Sequence, residues 1–134
     1  MEKIKITHPQ RNPNFDSGAY SDGVAYNGML FLSGQACIDF ATSTFMLGTI
    51  EEETKKTLDN IKAIVEAAGG TMNDALKSTV HLKDIADFGK FNAVYATYFT
   101  GIKPARTTVQ SVPGENIKVE IDIVLKLPNA DASK

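Results

Sequence analysis

The stretch IKVEIDIVLKL, residues 117–127, alternates apolar and polar side chains over its whole length. Every odd-numbered position in it is apolar, and every even-numbered position except Val124 is charged. Successive side chains of a strand point to opposite faces, so this period of two predicts a strand with one apolar and one charged face. We therefore expect a sheet whose apolar face is covered by helices.

The segments that lead to this strand predict the rest of the sheet. Residues 113–116 (PGEN) have turn chemistry, and residues 104–112 before them read as a strand. Residues 77–82, rich in Thr and Val, form another strand. Residues 24–33 predict two short strands around Asn27-Gly28, a strong hairpin signal. Residues 38–48 are less regular and are expected to form a loop with some strand character.

Two helices lie between these strands. Residues 49–52 (TIEE) match a capping box, apolar residues follow at helical spacing, and Gly69-Gly70 provides a stop, which predicts a helix over residues 50–68. A second helix, with aromatic residues recurring on one face, is expected between Asp84 and Gly101. The order β-β-α-β-α-β-β predicts an α+β fold with a mixed sheet and both helices on one face.

The chain reads as one domain over residues 1–134. Residues 1–16 are expected to form an irregular or edge segment, and residues 128–134 a frayed tail. The charged sheet face is either solvated or covered by another subunit. Because small sheet domains often protect such faces and edges by symmetric assembly, we expect an oligomer.

Composition excludes several functional classes. With 14 basic and 16 acidic residues the net charge is −2, and no basic stripe indicates nucleic-acid binding. The single cysteine, Cys37, rules out an internal disulfide framework and points to the cytoplasm. No apolar run reaches the length of a membrane span. His8 and His81 are far apart and lack a ligand pattern, so no metal is expected.

Arg106 is the principal binding candidate. On a strand it shares a face with Thr108 and Gln110, and a guanidinium flanked by polar groups suits a bidentate carboxylate or phosphate contact. The alternative is an ordinary surface arginine paired with Asp122 or Glu120. The pattern of residue types alone leaves both interpretations open.

Glu120 and Asp122 share the polar face of the last strand. They are either solvated carboxylates or a general acid/base pair in a water-excluding site. If residues 113–116 closed a hairpin with Thr108 opposite Glu120, Arg106 would lie beside Asp122. Whether these two strands are neighbours is not decided by the sequence.

Four further residues are weaker candidates, and each has an ordinary structural alternative. Tyr20 could close a pocket or simply be half-buried, and Gly34, after Ser33, could admit a ligand close to the backbone or form a turn. Asn92 interrupts the aromatic helix face, where its amide needs a partner. Cys37 is interpreted as a small buried thiol rather than a nucleophile.

Taken together, these segments resemble the reactive intermediate deaminase (RidA/YjgF) family. The matching pieces occur in family order and cover residues 15–127. They are Gly18-Ala19-Tyr20-Ser21, Phe31-Leu32-Ser33-Gly34-Gln35, Leu58-Asp59-Asn60-Ile61, Lys77-Ser78-Thr79-Val80-His81-Leu82-Lys83-Asp84, Phe88 with Asn92 and Tyr95, Pro104-Ala105-Arg106, and Val119-Glu120-Ile121-Asp122.

The resemblance implies a chorismate-mutase-like fold with a mixed, mostly antiparallel sheet, and a homotrimer with clefts between subunits. It also implies cofactor-free hydrolysis of 2-enamines and 2-imines, such as 2-aminoacrylate and its imine, to a 2-keto acid and ammonia. A non-enzymatic trimer that binds small carboxylates, or acts as a regulator or chaperone, is the alternative. Ribonuclease activity, ascribed to some members, is disfavoured by the acidic balance.

By position, the resemblance assigns roles to the candidates above. Arg106 would bind the substrate carboxylate and Glu120 would orient the attacking water. The remaining positions would line the pocket: Tyr20, Ser33, Gly34, Asn92 and Thr108.

Three departures from the family pattern bear on the substrate. Ala19 replaces the usual proline before Tyr20, Thr108 stands where many members have cysteine, and the segment between Arg106 and Glu120 is about one residue shorter. Some branches of the family lack the arginine and have no known deaminase activity, so the presence of Arg106 favours an enzyme.

Overall fold

The computed structural model describes residues 2–15 and 18–128, which form a six-stranded sheet, a small two-stranded sheet and two α-helices. The strands are β1 (Ile4–Ile6), β2 (Gly23–Tyr26), β3 (Met29–Leu32), β4 (Ile38–Asp39), β5 (Thr44–Phe45), β6 (Ala75–Leu82), β7 (Ala105–Gln110) and β8 (Val119–Lys126). The helices are α1 (Ile50–Ala67) and α2 (Phe88–Ala96), with short 3-10 turns at Met72–Asp74 and Ile85–Asp87. The large sheet has the order β1-β2-β3-β8-β6-β7, antiparallel throughout except for the parallel pair β6–β7.

The strand predicted from the alternation in residues 117–127 is β8, and it has the expected buried and polar faces. Val119, Ile121, Ile123 and Leu125 are fully buried, in one core cluster with the apolar residues of both helices. The opposite face, which we call the open face, carries the polar residues of β8. The α+β class, the two helices and the mostly antiparallel sheet are thus confirmed.

The first helix follows its sequence signals. The Thr49 hydroxyl accepts a hydrogen bond from the Glu52 backbone N–H at 3.1 Å, and the Glu52 carboxylate accepts one from the Thr49 N–H at 2.9 Å. This reciprocal pair is the predicted capping box. The second helix is shorter than the aromatic pattern suggested, because a 3-10 turn precedes it and the helix ends at Ala96, before Phe99 and Gly101.

The hairpin considered for the last two long strands is wrong. β6 lies between β7 and β8, so residues 113–116 connect strands that are not neighbours. The α2 crossover returns the chain parallel to β6 on one side, and the connection to β8 then passes the end of β6 to its other side. Backbone hydrogen bonds from Ser111 N to Leu82 O and from Lys83 N to Lys118 O mark this passage.

The irregular segments contribute short strands. The predicted edge segment contains β1, which pairs with β2 at the edge of the sheet. The expected loop at 38–48 contains the β4–β5 pair. Of the tail predicted at residues 128–134, residues 129–134 lie outside the described part of the chain, as do residues 1, 16 and 17.

A buried carboxylate ties two loops to α1. Glu53 is fully buried, and its oxygens accept hydrogen bonds from Gly48 N at 3.1 Å, Lys118 N at 2.8 Å and Lys118 Nζ at 3.2 Å. The Cys37 thiol also lies 3.6 Å from Glu53 Oε1. Burial, and then Glu53, raises the pKa of Cys37 to about 11, so the thiol stays protonated at neutral pH. That agrees with a structural rather than a nucleophilic cysteine.

Replacing this carboxylate should destabilise the fold strongly. Glu53→Ala removes the acceptor for two partly buried N–H groups and leaves the Lys118 ammonium without its ion-pair partner. We expect a loss of about 2–3 kcal/mol in the free energy of unfolding, measured by denaturant titration at fixed protein concentration. Glu51→Ala, at an exposed position of the same helical turn, is the matched control and should change stability by about 0.5 kcal/mol or less. Equal losses for the two variants would contradict this interpretation of Glu53.

Candidate functional site

Arg106 lies on β7 with its guanidinium against the aromatic face of α2. The guanidinium carbon is 4.8 Å from the ring centroid of Tyr95, 5.4 Å from that of Phe88 and 5.9 Å from that of Phe91. Nη1 donates a hydrogen bond to Asn92 Oδ1 at 2.8 Å. A guanidinium has five N–H donors, so this bond orients the group without exhausting it. The alternative interpretation, a surface ion pair of Arg106 with Asp122 or Glu120, does not occur within one copy of the chain.

A pocket of about 380 Å³ opens beside this arginine. Its wall includes Asn92, Tyr95, Lys103 and Arg106, which combine two cationic side chains with an amide and an aromatic ring. The Thr108 hydroxyl is buried on the same sheet face, two residues further along β7. We call this the arginine pocket. Its donors and aromatic surface suit a small, flat anion such as a carboxylate.

A second pocket, of about 350 Å³, contains Glu120 and is called the glutamate pocket. Tyr20 and Gly34 also line it, and Tyr20 is 58% exposed. A Cβ added to Gly34 would lie 2.7 Å from Glu120 Oε2, so the absent side chain leaves room for this carboxylate. A glycine at position 34 therefore allows the Glu120 side chain to take its observed position. Burial raises the pKa of Glu120, so this carboxyl group holds a proton more readily than a solvated glutamate does.

Ser33 acts on the segment that carries Tyr20. Its hydroxyl donates to Ser21 O at 2.6 Å, and its backbone N–H donates to Asp22 O at 3.0 Å. The Ser33 hydroxyl proton is thus used in the bond to Ser21 O, and the hydroxyl oxygen can still accept a hydrogen bond from another group. These bonds fix the residues next to Tyr20 at the rim of the glutamate pocket.

Sequence reasoning missed an ion pair in the wall of the glutamate pocket. Arg11 Nε donates to Asp22 Oδ2 at 2.9 Å, and its Nη2 contacts the other carboxylate oxygen. The guanidinium also lies 4.8 Å from the Phe40 ring centroid, and the His8 backbone N–H donates to Asp22. The partners are far apart in an irregular segment, so no local spacing could have revealed the pair.

Within one chain, Arg106 and Glu120 point to opposite faces of the sheet. Ser78 on β6 pairs with Arg106 on one side and with Ile123 on the other, and Ser78 and Ile123 are fully buried beneath the helices. His81, three positions later and therefore on the open face, pairs with Glu120. One copy of the chain therefore carries the candidate residues in two separate groups, on opposite faces of the sheet. Asn92 and Thr108 accompany Arg106, whereas Tyr20, Ser33 and Gly34 accompany Glu120.

Candidate metal sites and membrane-spanning helices are both absent from the described residues. Over residues 2–15 and 18–128 there is no cluster of three or more His, Cys, Asp or Glu side chains that could hold a metal ion. Within the same ranges no helix has the length and apolarity that a membrane crossing requires.

Comparison with known proteins gives the relationship of the chain. The family model described as Endoribonuclease L-PSP matches residues 13–126. A RutC family protein from Pyrococcus horikoshii is 44% identical over 92% of this chain and 97% of its own length. The 2-iminobutanoate/2-iminopropanoate deaminase of Mus musculus is 38% identical over 77% of this chain and 78% of its own length.

A solved structure supports the same relationship. The crystal structure of a Rid family protein of unknown function from Yersinia pestis superimposes with a TM-score of 0.85 at 32% identity, covering 94% of this chain and all of that one. The match therefore extends over the sheet, both helices and both pockets. The chain belongs to the reactive intermediate deaminase (RidA/YjgF) family.

Proposed function

We propose that this protein hydrolyses reactive 2-enamines and 2-imines, such as 2-aminoacrylate and its imine, to 2-keto acids and ammonia without a cofactor. The observation that carries the proposal is the guanidinium of Arg106, held by Asn92 and three aromatic rings at the wall of a small pocket. The deaminase name of the mouse relative supports the same reaction class.

Arg106 binds the substrate carboxylate in this proposal. Stacking on the rings limits the rotation of the guanidinium, and the bond to Asn92 fixes its plane. Less conformational freedom is then lost when a carboxylate forms a bidentate pair. The carboxylate anchor places the neighbouring imine carbon at a defined distance from the sheet.

Glu120 directs the attacking water. An enamine first takes a proton on its β-carbon to give the imine, whose carbon is electrophilic. Water then adds to that carbon as the Glu120 carboxylate accepts one of its protons, giving a carbinolamine. The same carboxyl group protonates the nitrogen; as the C–N bond breaks and ammonia leaves, the carbinol hydroxyl gives its proton back to the Glu120 carboxylate and the 2-keto acid forms. Fixing the carboxylate and presenting one water supplies most of the rate effect.

The complete site is formed by two copies of the chain. The arginine pocket of one copy and the glutamate pocket of another are brought together in a homotrimer with three clefts between subunits. The open face supports such an assembly: Phe31 and Val109 on it are more than one-third exposed, and β7 leaves a sheet edge unpaired. Tyr20, Ser33 and Gly34 complete one wall of each cleft, and Asn92 and Thr108 the other.

The direct test couples the protein to a dehydratase that releases 2-aminoacrylate from serine. We expect the wild-type protein to accelerate pyruvate and ammonia release over the spontaneous rate in buffer. No acceleration at any protein concentration would contradict the proposal. Calorimetry with small 2-keto acids then tests the alternative, since binding without turnover would identify a carboxylate-binding module.

A further inference from the structure

His81 is placed next to Glu120 by the sheet itself. The two residues are direct partners in the antiparallel β6–β8 pair, and both side chains lie on the open face. Directly opposed side chains of such a pair have Cβ atoms about 5 Å apart. His81 Nδ1 lies 3.0 Å from the Ser111 hydroxyl, which fixes the orientation of the ring. None of the roles considered above uses this histidine.

Other charged groups around Glu120 come from the pocket wall and from the open face. The glutamate pocket adds Glu115 and the ion pair of Arg11 with Asp22. Asp122 lies two residues along β8 from Glu120, and its direct partner on β6 is Thr79. Lys77 is two positions further along β6 and donates to Thr107 Oγ1 at 2.7 Å. β7 presents Thr107 and Val109 to this face. Lys83 follows the last residue of β6 and Lys118 precedes the first residue of β8. The Lys118 ammonium forms an ion pair with Glu53.

We propose that His81 is a positioning residue for Glu120: its imidazole, oriented by Ser111, faces the water-directing carboxylate across the β6–β8 pair and favours the ionised form of that carboxylate. The proposal rests on the function proposed above and adds a residue to it. Asp122 acts on Glu120 in the opposite sense, so the ionisation of Glu120 depends on two neighbours, His81 on β6 and Asp122 on β8.

The sign of each effect follows from the charges. Burial raises the pKa of Glu120, and Asp122 raises it further, whereas His81 lowers it. Water attack requires the ionised carboxylate, so activity should rise with pH through the pKa of Glu120. Removing the imidazole should therefore move the acidic limb of activity to higher pH, and removing the Asp122 charge should move it to lower pH.

The test measures Glu120 directly in the assembled protein. With ¹³C-labelled glutamate, the side-chain carboxyl resonance is followed against pH in wild type, His81→Gln and Asp122→Asn, and Glu120→Gln assigns it. We expect the Glu120 midpoint to rise by roughly half a pH unit or more in His81→Gln and to fall in Asp122→Asn. Lys77→Gln, which removes a more distant cation of the same face, is the matched control and should shift the midpoint less.

The pH profile of kcat/KM is the second readout, and its acidic limb should move with the carboxyl midpoint. An unchanged midpoint in a folded His81→Gln protein would overturn the proposal. So would a shifted midpoint with an unmoved acidic limb, because Glu120 would then not be controlled through His81 in the reaction. Absence of turnover in wild type contradicts the proposed function instead, and the carboxyl titration needs no turnover.

Discussion

The variant Arg106→Ala is expected to lose most of the imine-hydrolysing activity while remaining folded. The substitution removes a charge-assisted bidentate contact worth about 2–4 kcal/mol, which corresponds to a loss in kcat/KM of roughly 30- to 1000-fold. Arg106→Lys should recover little of it, because an ammonium on a flexible stem cannot form the planar pair or stack in the same way on Tyr95 and its neighbours. The measurement is keto-acid release in the dehydratase-coupled assay.

Lys103→Ala is the matched control for this loss. Lys103 is a second cation in the wall of the arginine pocket, and it is exposed. If general positive charge were enough to bind the substrate, the two alanine variants would be similarly impaired. We expect the Lys103 variant to stay within a few-fold of wild type. Wild-type rates in Arg106→Ala would remove the basis of the proposed function.

Mixing two inactive variants is expected to restore activity. Arg106→Ala and Glu120→Gln are each unfolded and refolded together in equal amounts, so that their chains assort at random in the trimers. A cleft that takes Arg106 from one copy and Glu120 from another is intact in about a quarter of cases. About a quarter of wild-type activity should therefore return, although each variant refolded alone has almost none.

The same experiment distinguishes the two possible origins of the site. If a cleft used Arg106 and Glu120 of one copy, no cleft in the mixture would hold both, and the activity would stay at the level of the separate variants. The opposite-face placement of the two side chains is the structural reason to expect recovery. Refolding of wild type with Arg106→Ala provides the reference for assembly yield.

Local periodicity was enough to predict the layers of this fold. The alternation in residues 117–127 set the buried and open faces of β8, because every residue type on that strand except Val124 agrees with its exposure. The capping box and Gly69-Gly70 bounded the first helix to within one residue. These features depend on neighbours in sequence, where spacing alone carries the information.

Strand order could not be predicted in the same way. Whether β7 pairs with β8 or with β6 depends on how the α2 crossover returns to the sheet. The residues of the 113–116 turn are compatible with either pairing, so they do not predict it. The separation of Arg106 from Glu120 follows from this order. The sequence therefore indicated the residue types of the candidate site, but not that they belong to different faces. The Arg11–Asp22 pair was missed for a similar reason, since it joins segments by tertiary contact alone.

The carboxylate of Glu53 has a consequence for motion. It holds the backbone N–H groups of Gly48 and Lys118, which end two loops distant in sequence, and both loops line the glutamate pocket. Fraying of the first turn of α1 would release both anchors in one event, so the amide hydrogens of the two loops would exchange with solvent as a single unit. We therefore expect the wall around Glu120 to open as one unit, at the rate at which this helix terminus frays.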